Sequence, residues 1–139
     1  LARRLLPTLL AQGGGQIINV CSGAGQYDPP VPADQGGWGF AYGASKAALI
    51  RMAGCIRREL GGQGVRAYSV NPGVVATEAV TATLGDDGTL AQRYGALPPE
   101  AIAQALFWLA TSGQAPAVAR GKDMLDLPEL VKTQGLWQP

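Results

Sequence analysis

The sequence predicts an α/β fold built on a parallel sheet, and three observations carry that prediction. Helix-patterned segments and short β-branched runs alternate along the chain in the order helix, strand, helix, strand, helix, strand. Two of the predicted strands run directly into turns that carry polar side chains, Ser22 after one and Asn71 in the other. Apolar residues make up 47% of the 139 positions against 15% charged, the mix of one globular domain with a single core.

The first element, Leu1 to Ala11, has the pattern of the last turns of a helix, and Gln12 to Gly15 is its glycine-rich exit. Gln16 to Cys21 is a short apolar run with Ile17, Ile18 and Val20, which favours a buried strand. Ser22 to Ala41 holds Pro29, Pro30, Pro32, Gly36, Gly37 and Gly39 and is expected to be a long loop, of a length that in compact domains tends to be functional. Tyr42 to Leu60 is the longest predicted helix. Ala48, Met52, Ile56 and Leu60 recur every four residues, Leu49, Ala53 and Cys55 widen the stripe, and Gly61-Gly62 ends it. Val65 to Val70 is a second strand leading into Asn71-Pro72-Gly73. Thr77 to Leu97 is polar and mixed, with short helices expected and with Val80, Leu84 and Tyr94 placed to cover a pocket. Pro98 and Pro99 open a helix from Glu100 to Thr111 whose Ile102, Ala105, Leu106 and Leu109 share a face. A short strand near Asp123 to Leu127 precedes a tail.

Composition narrows the function classes. A formal net charge of +1, with no basic run beyond the pairs Arg3-Arg4 and Arg57-Arg58, gives no electrostatic footprint for nucleic acid or an anionic membrane. No apolar stretch is long enough to span a bilayer, and a cytoplasmic location is expected. Cys21 and Cys55, in a chain with no histidine, form neither a disulfide framework nor a metal-ligand cluster, and both are expected to pack as small apolar side chains.

The chemistry concentrates in Tyr42-Gly43-Ala44-Ser45-Lys46. Residues four apart on a helix project from one face, so an ammonium stands one turn from a phenol. A tyrosine hydroxyl titrates near pH ~10, and a neighbouring positive charge favours its ionised form. Tyr42 with Lys46 is therefore a sensible general acid/base pair. A chance Tyr-Lys spacing on an ordinary amphipathic helix has the same appearance, and Ser22 alone would be read as a turn residue before Gly23 and Gly25. The order in which the segments occur is what separates the two readings.

The ordered set IINVCSGAG, YGASK and VNPGVVAT resembles the short-chain dehydrogenase/reductase family, specifically its C-terminal half: Ser22 with Gly25, Tyr42 with Lys46, and Pro72-Gly73 with Thr77 downstream. PPEAIAQALFWLA followed by ARGKDMLDL resembles the family's closing helix and strand. The resemblance implies a partial Rossmann-like, doubly wound parallel sheet, its last three strands and their helices. Residues 1–139 would then be a single incomplete dinucleotide-binding catalytic domain. It implies an NAD(P)-dependent oxidoreductase interconverting an alcohol and a ketone or aldehyde, with NAD or NADP as cofactor. Tyr42 would be the proton donor or acceptor and Ser22 would hold the same oxygen. Lys46 would bind the nicotinamide ribose, and Pro72, Gly73, Val75 and Thr77 would frame the carboxamide. A small-molecule alcohol or carbonyl substrate and a homodimer or homotetramer of the full-length form are implied as well.

Two departures from the family pattern stand out. Ser22 and Tyr42 lie twenty positions apart, a longer interval than the family's, and the excess falls between Gln26 and Ala41, where Trp38 and Phe40 are expected either to wall a substrate entrance or to pack the loop locally. The chain opens on Leu1 and carries no Gly-rich phosphate turn between a strand and a helix, since Gly13-Gly14-Gly15 precedes a strand. The N-terminal half is accordingly expected to be missing, with the Gln16–Cys21 strand left as an apolar edge. That departure keeps a second reading open: a truncated, non-catalytic remnant or assembly module of such an enzyme. A hydrolase using Ser22 is the weakest alternative, because no histidine is present to serve as its base.

Overall fold

The computed structural model describes residues 1–84 and 93–138. The chain folds as two compact units, Leu1–Val70 with Gly121–Leu125, and Asn71–Arg120 with Asp126–Pro139.

The first unit opens with helix α1 (Ala2–Ala11), then strand β1 (Gly15–Val20), helix α2 (Phe40–Leu60) and strand β2 (Val65–Asn71). β1 and β2 pair in parallel, Gly15 opposite Val65 through Val20 opposite Val70, and Cys21 N–H extends the ladder to the Val70 carbonyl at 2.7 Å. With the two-residue strand β3 (Leu125–Asp126) the sheet order is β1-β2-β3, so β1 lies at an edge. α2 crosses over between the two parallel strands, as a parallel connection requires. Its Ala53 and Ile56 bury against Val65 and Ala67, with Ile17, Met52, Leu60 and the α1 leucines Leu6, Leu9 and Leu10 around them.

Most of the expected stripe of α2 faces inward, with Ala53 and Ile56 buried and Leu49, Met52 and Leu60 half-buried. Ile50, Ala53 and Ile56 are the buried residues of α2, whereas Ala48 and Cys55 are exposed. A period of four drifts around a helix of 3.6 residues per turn, and over three turns the drift exchanges which positions face the sheet. Cys55 therefore does not pack inside, while Cys21 does.

The second unit holds α3 (Glu78–Leu84), α4 (Pro99–Thr111), α5 (Ala115–Val118) and α6 (Leu127–Gln134). Pro99 opens α4 from its first turn, and Ala101, Ile102, Ala105 and Leu109 are its buried face. α6 packs on α4 and buries Leu127, Leu130 and Val131. α6 stands where the sequence predicts a tail. The signals were present: Asp126 caps the helix by accepting from Glu129 N–H at 2.9 Å, Pro128 sits in the first turn, and Gly135 ends it at φ +60°. Of the segment expected to be polar with short helices, Glu78–Leu84 is helical. Residues 85–92 lie outside the described residues, as do the side chain of Leu84 and the pocket-covering role expected of it.

Candidate active site

β1 ends at Val20, and Ser22 turns the chain out of the sheet. Its extended backbone (φ −162°, ψ 155°) starts a single 3-10 turn over Gly23–Gly25, capped by the Ser22 hydroxyl, which accepts from Ala24 N–H at 3.2 Å. That turn lies directly on α2. A Cβ at Gly25 would stand 2.7 Å from the Ala47 nitrogen and the Lys46 carbonyl carbon, so glycine is required for backbone to meet backbone there. From the helix side, a Cβ at Gly43 would come within 3.1 Å of the Ala24 carbonyl oxygen. The family-like interval of Ser22 and Gly25 thus has a physical purpose: it docks the hydroxyl-bearing turn onto the turn of helix that carries Lys46.

α2 begins two residues earlier than the sequence suggested, at Phe40, which places Tyr42 and Lys46 within its first two turns. Tyr42 is 48% exposed. The Lys46 ammonium stands 5.5 Å from the centre of the Tyr42 ring and donates to the Val20 carbonyl oxygen at 3.2 Å. The ammonium is therefore tied to the strand end from which the Ser22 turn departs. Ser45 returns its hydroxyl to the Tyr42 carbonyl at 2.8 Å, a local bond within the helix. Ser22, Tyr42 and Lys46 all belong to the first unit.

Trp38 and Phe40 occupy a different flank of α2. With Tyr27, Asp28 and Pro29 of the long loop they line an open cleft of about 510 Å³ whose helical wall is Gly43, Ala44 and Ala47. At 100° per residue these three project roughly 100–200° round the helix from Tyr42, whereas Lys46 lies only about 40° away. Ala24 and Gly25 of the Ser22 turn line the same cleft. Trp38 covers Gly43, its indole 3.7 Å from the position a Cβ would take, while Phe40 is 91% exposed.

The remaining candidates, Pro72, Gly73, Val75 and Thr77, belong to the second unit. Gly73 adopts φ +66°, its N–H donates to Asn71 Oδ1 at 3.2 Å, and a Cβ would stand 2.8 Å from Pro128 Cγ. Left-handed backbone and a close neighbour both demand glycine here. Val75 forms a parallel bridge with Leu97, and Thr77 N–H donates to the Val75 carbonyl at 2.7 Å. The Thr77 hydroxyl oxygen accepts from Val80 N–H at 3.4 Å, capping α3 and leaving its hydrogen available to a ligand. Sequence reasoning missed the support for this turn. Asn71 donates from Nδ2 to Asp126 Oδ2 at 3.2 Å, while the other oxygen of the same carboxylate caps α6.

Among the described residues, no three His, Cys, Asp or Glu side chains gather to hold a metal ion, and no helix is long and apolar enough to cross a membrane.

A parallel α/β sheet with a strand-end serine turn docked on a Tyr-x-x-x-Lys helix defines an α/β class, and comparison with known proteins fixes the family. Residues 1–87 match the short chain dehydrogenase family, and the chain belongs to it. It is similar to the sulfoacetaldehyde reductase of Chromohalobacter salexigens, 38% identical over 112 residues that cover 77% of this chain and 42% of that protein. It is similar also to the NADP-dependent 3-hydroxy acid dehydrogenase of Escherichia coli K12, 34% identical over 116 residues covering 80% of this chain and 44% of the relative. A solved short chain dehydrogenase/reductase family protein superposes with a TM-score of 0.66 at 32% identity, over 91% of this chain and 50% of the other. The chain therefore spans about half the length or less of these relatives.

Proposed function

We propose that this chain carries the proton-transfer half of an NAD(P)-dependent oxidoreductase that interconverts an alcohol and a ketone or aldehyde. The observation that carries the proposal is the Tyr42–Lys46 pair on an open helix face, with the Ser22 turn docked against the same helix through Gly25. In the direction of reduction, Tyr42 Oη gives its proton to the carbonyl oxygen while Ser22 Oγ donates a hydrogen bond that holds that oxygen. Oxidation runs the same proton back to Tyr42. The ammonium of Lys46 stabilises the negative charge left on the phenol oxygen. The bound nicotinamide supplies or accepts the hydride at carbon, so electrons and protons balance without a further reagent.

Each unit by itself carries donors of the kind that the nicotinamide end of such a cofactor takes. Lys46 has spent one of its three N–H donors on Val20, and the Thr77 hydroxyl hydrogen is uncommitted after capping. Lys46 would bind the ribose hydroxyls, and Thr77 with the Pro72–Val75 backbone would hold the carboxamide. The names of two relatives, a sulfoacetaldehyde reductase and a 3-hydroxy acid dehydrogenase, support a compact polar substrate; a cytoplasmic setting and a homo-oligomeric full-length form rest on the family resemblance alone.

The test is a fluorescence titration of the chain with NADH and NADPH, paired with Lys46→Met. Cofactor binding that weakens about tenfold in the variant is the expected result, the scale of a lost charge-assisted contact. A chain that binds neither cofactor supports the second reading, an assembly module that pairs with a longer subunit.

A further inference from the structure

The sheet face beneath α2 changes character along its length. At one end it is apolar, with Ala53 and Ile56 of the helix seated on Val65, Ala67 and Ile17. One step further toward the strand ends, the register partners Asn19 and Ser69 present polar groups in place of hydrocarbon. Both reach the same helix atom. Asn19 Nδ2 donates to the Leu49 carbonyl oxygen at 3.1 Å, and Ser69 Oγ donates to it at 3.5 Å. Ser69 is 1% exposed. A carbonyl inside a helix already serves the N–H four residues on, and its second lone pair is normally left to solvent or to nothing. Here two strands converge on it.

Leu49 lies three residues beyond Lys46, on the turn that follows. The next polar link toward the helix start is Lys46 Nζ on the Val20 carbonyl, and Val20 directly follows Asn19. A helix packed on a sheet by hydrocarbon alone can slide or roll by a fraction of a turn at small cost, because dispersion contacts have little directionality. A side-chain hydrogen bond to a fixed backbone oxygen is directional and sets both the height and the roll of the helix.

We propose that Asn19 and Ser69 are positioning residues: by holding the Leu49 carbonyl they fix α2 so that Lys46 reaches Val20 and stands beside Tyr42. They touch none of the reacting groups and act through Lys46. The consequence for catalysis rests on the oxidoreductase reading above, whereas the placement of Lys46 does not.

The experiment separates those two dependencies. Reductive methylation with formaldehyde and a borane, read by mass spectrometry, reports how firmly each lysine amine is held. Lys122 and Lys132, both exposed, serve as references within the same chain. In Asn19→Leu and in Ser69→Ala, the methylation rate of Lys46 relative to the references rises roughly two- to tenfold, the worth of a hydrogen bond lost. Ser69→Thr keeps the hydroxyl and restores the wild-type ratio. Titration with NADH or NADPH weakens by a similar factor in the first two variants and not in the third. If the wild-type chain binds no nicotinamide, the enzyme reading fails while the lysine ratio still decides the positioning. An unchanged Lys46 ratio in a folded variant overturns the proposal, as does a rise shared equally by all three lysines, which would mean general loosening. Should Asn19→Leu fail to fold, the Ser69 pair alone gives the answer.

Discussion

At the scale of single residues, the phenol of Tyr42 is separable from the ring that carries it. Tyr42→Phe keeps the face that Lys46 overlies at 5.5 Å and removes only the oxygen. Carbonyl reduction by an active form of the protein should fall by about 10²–10⁴, the usual worth of a positioned proton donor, with the melting temperature unchanged. Retention of rate in steady-state assays would show that another group delivers the proton. Tyr68 makes the opposite case. It is 3% exposed and its hydroxyl finds no partner among the described residues, so the oxygen is a cost. Tyr68→Phe should raise unfolding stability by about 1 kcal/mol in urea titrations at neutral pH. Burial also pushes the Tyr68 hydroxyl above its ordinary 10.0, against the opposing pull of Arg66 and Arg57. Burial likewise pushes the Cys21 thiol above its ordinary 9.0, against Ser69, Lys46 and the Val70 backbone. Both groups hold protons in the native state that the unfolded chain has released. The native state then binds more protons than the unfolded one, and stability present below about pH 9 is lost as pH rises through and beyond that value. Urea midpoints measured at about pH 8 and about pH 10.5 should show the decline, and Tyr68→Phe should flatten it.

At the scale of elements, the Asn71–Asp126–Glu129 chain of hydrogen bonds ties the Pro72-Gly73 turn to the start of α6. Asp126→Ala removes an N-cap and a side-chain bond together, and should cost about 1–3 kcal/mol against about 1 kcal/mol for Asn71→Ala. A double-mutant cycle read by chemical denaturation checks the coupling. Additive effects would show that cap and turn are independent. The same elements explain what was legible in the sequence. β1, β2, α2 and α4 announced themselves through β-branched runs and apolar periodicity, and the family through the order of Ser22, Tyr42 and Lys46 along the chain. α6 was hidden because its eight residues are too few for periodicity to speak, and its start is signalled only by Asp126 and Pro128. Within the stripe of α2, Ala48 and Ala53 are equally apolar to the eye, and only the sheet decides that Ala53 faces inward. The flank taken by Trp38 and Phe40 could not be read at all, since a loop's path over a helix follows from close approaches such as Trp38 on Gly43 that leave no periodic trace.

At the scale of the whole molecule, β1 is the end strand of a three-stranded parallel sheet, and its Val20 side chain is 48% exposed. Parallel sheets are ordinarily covered on both faces and paired on both sides in their apolar interior strands. Among the described residues β1 has a neighbouring strand on one side only, and an apolar strand edge carrying Ile17, Ile18 and Val20 is a template for another strand. A net charge of +1 offers little repulsion to prevent two such edges from meeting. The isolated chain should therefore associate as its concentration rises, seen as a concentration-dependent sedimentation coefficient. Val20→Lys places a charge on the edge while leaving the backbone carbonyl that Lys46 holds, and should shift the distribution toward monomer. A wild-type chain that sediments as one monomeric species across a hundredfold or so range of concentration would show that the β1 edge is protected by something other than pairing, and would remove the reason to expect a partner strand beside it.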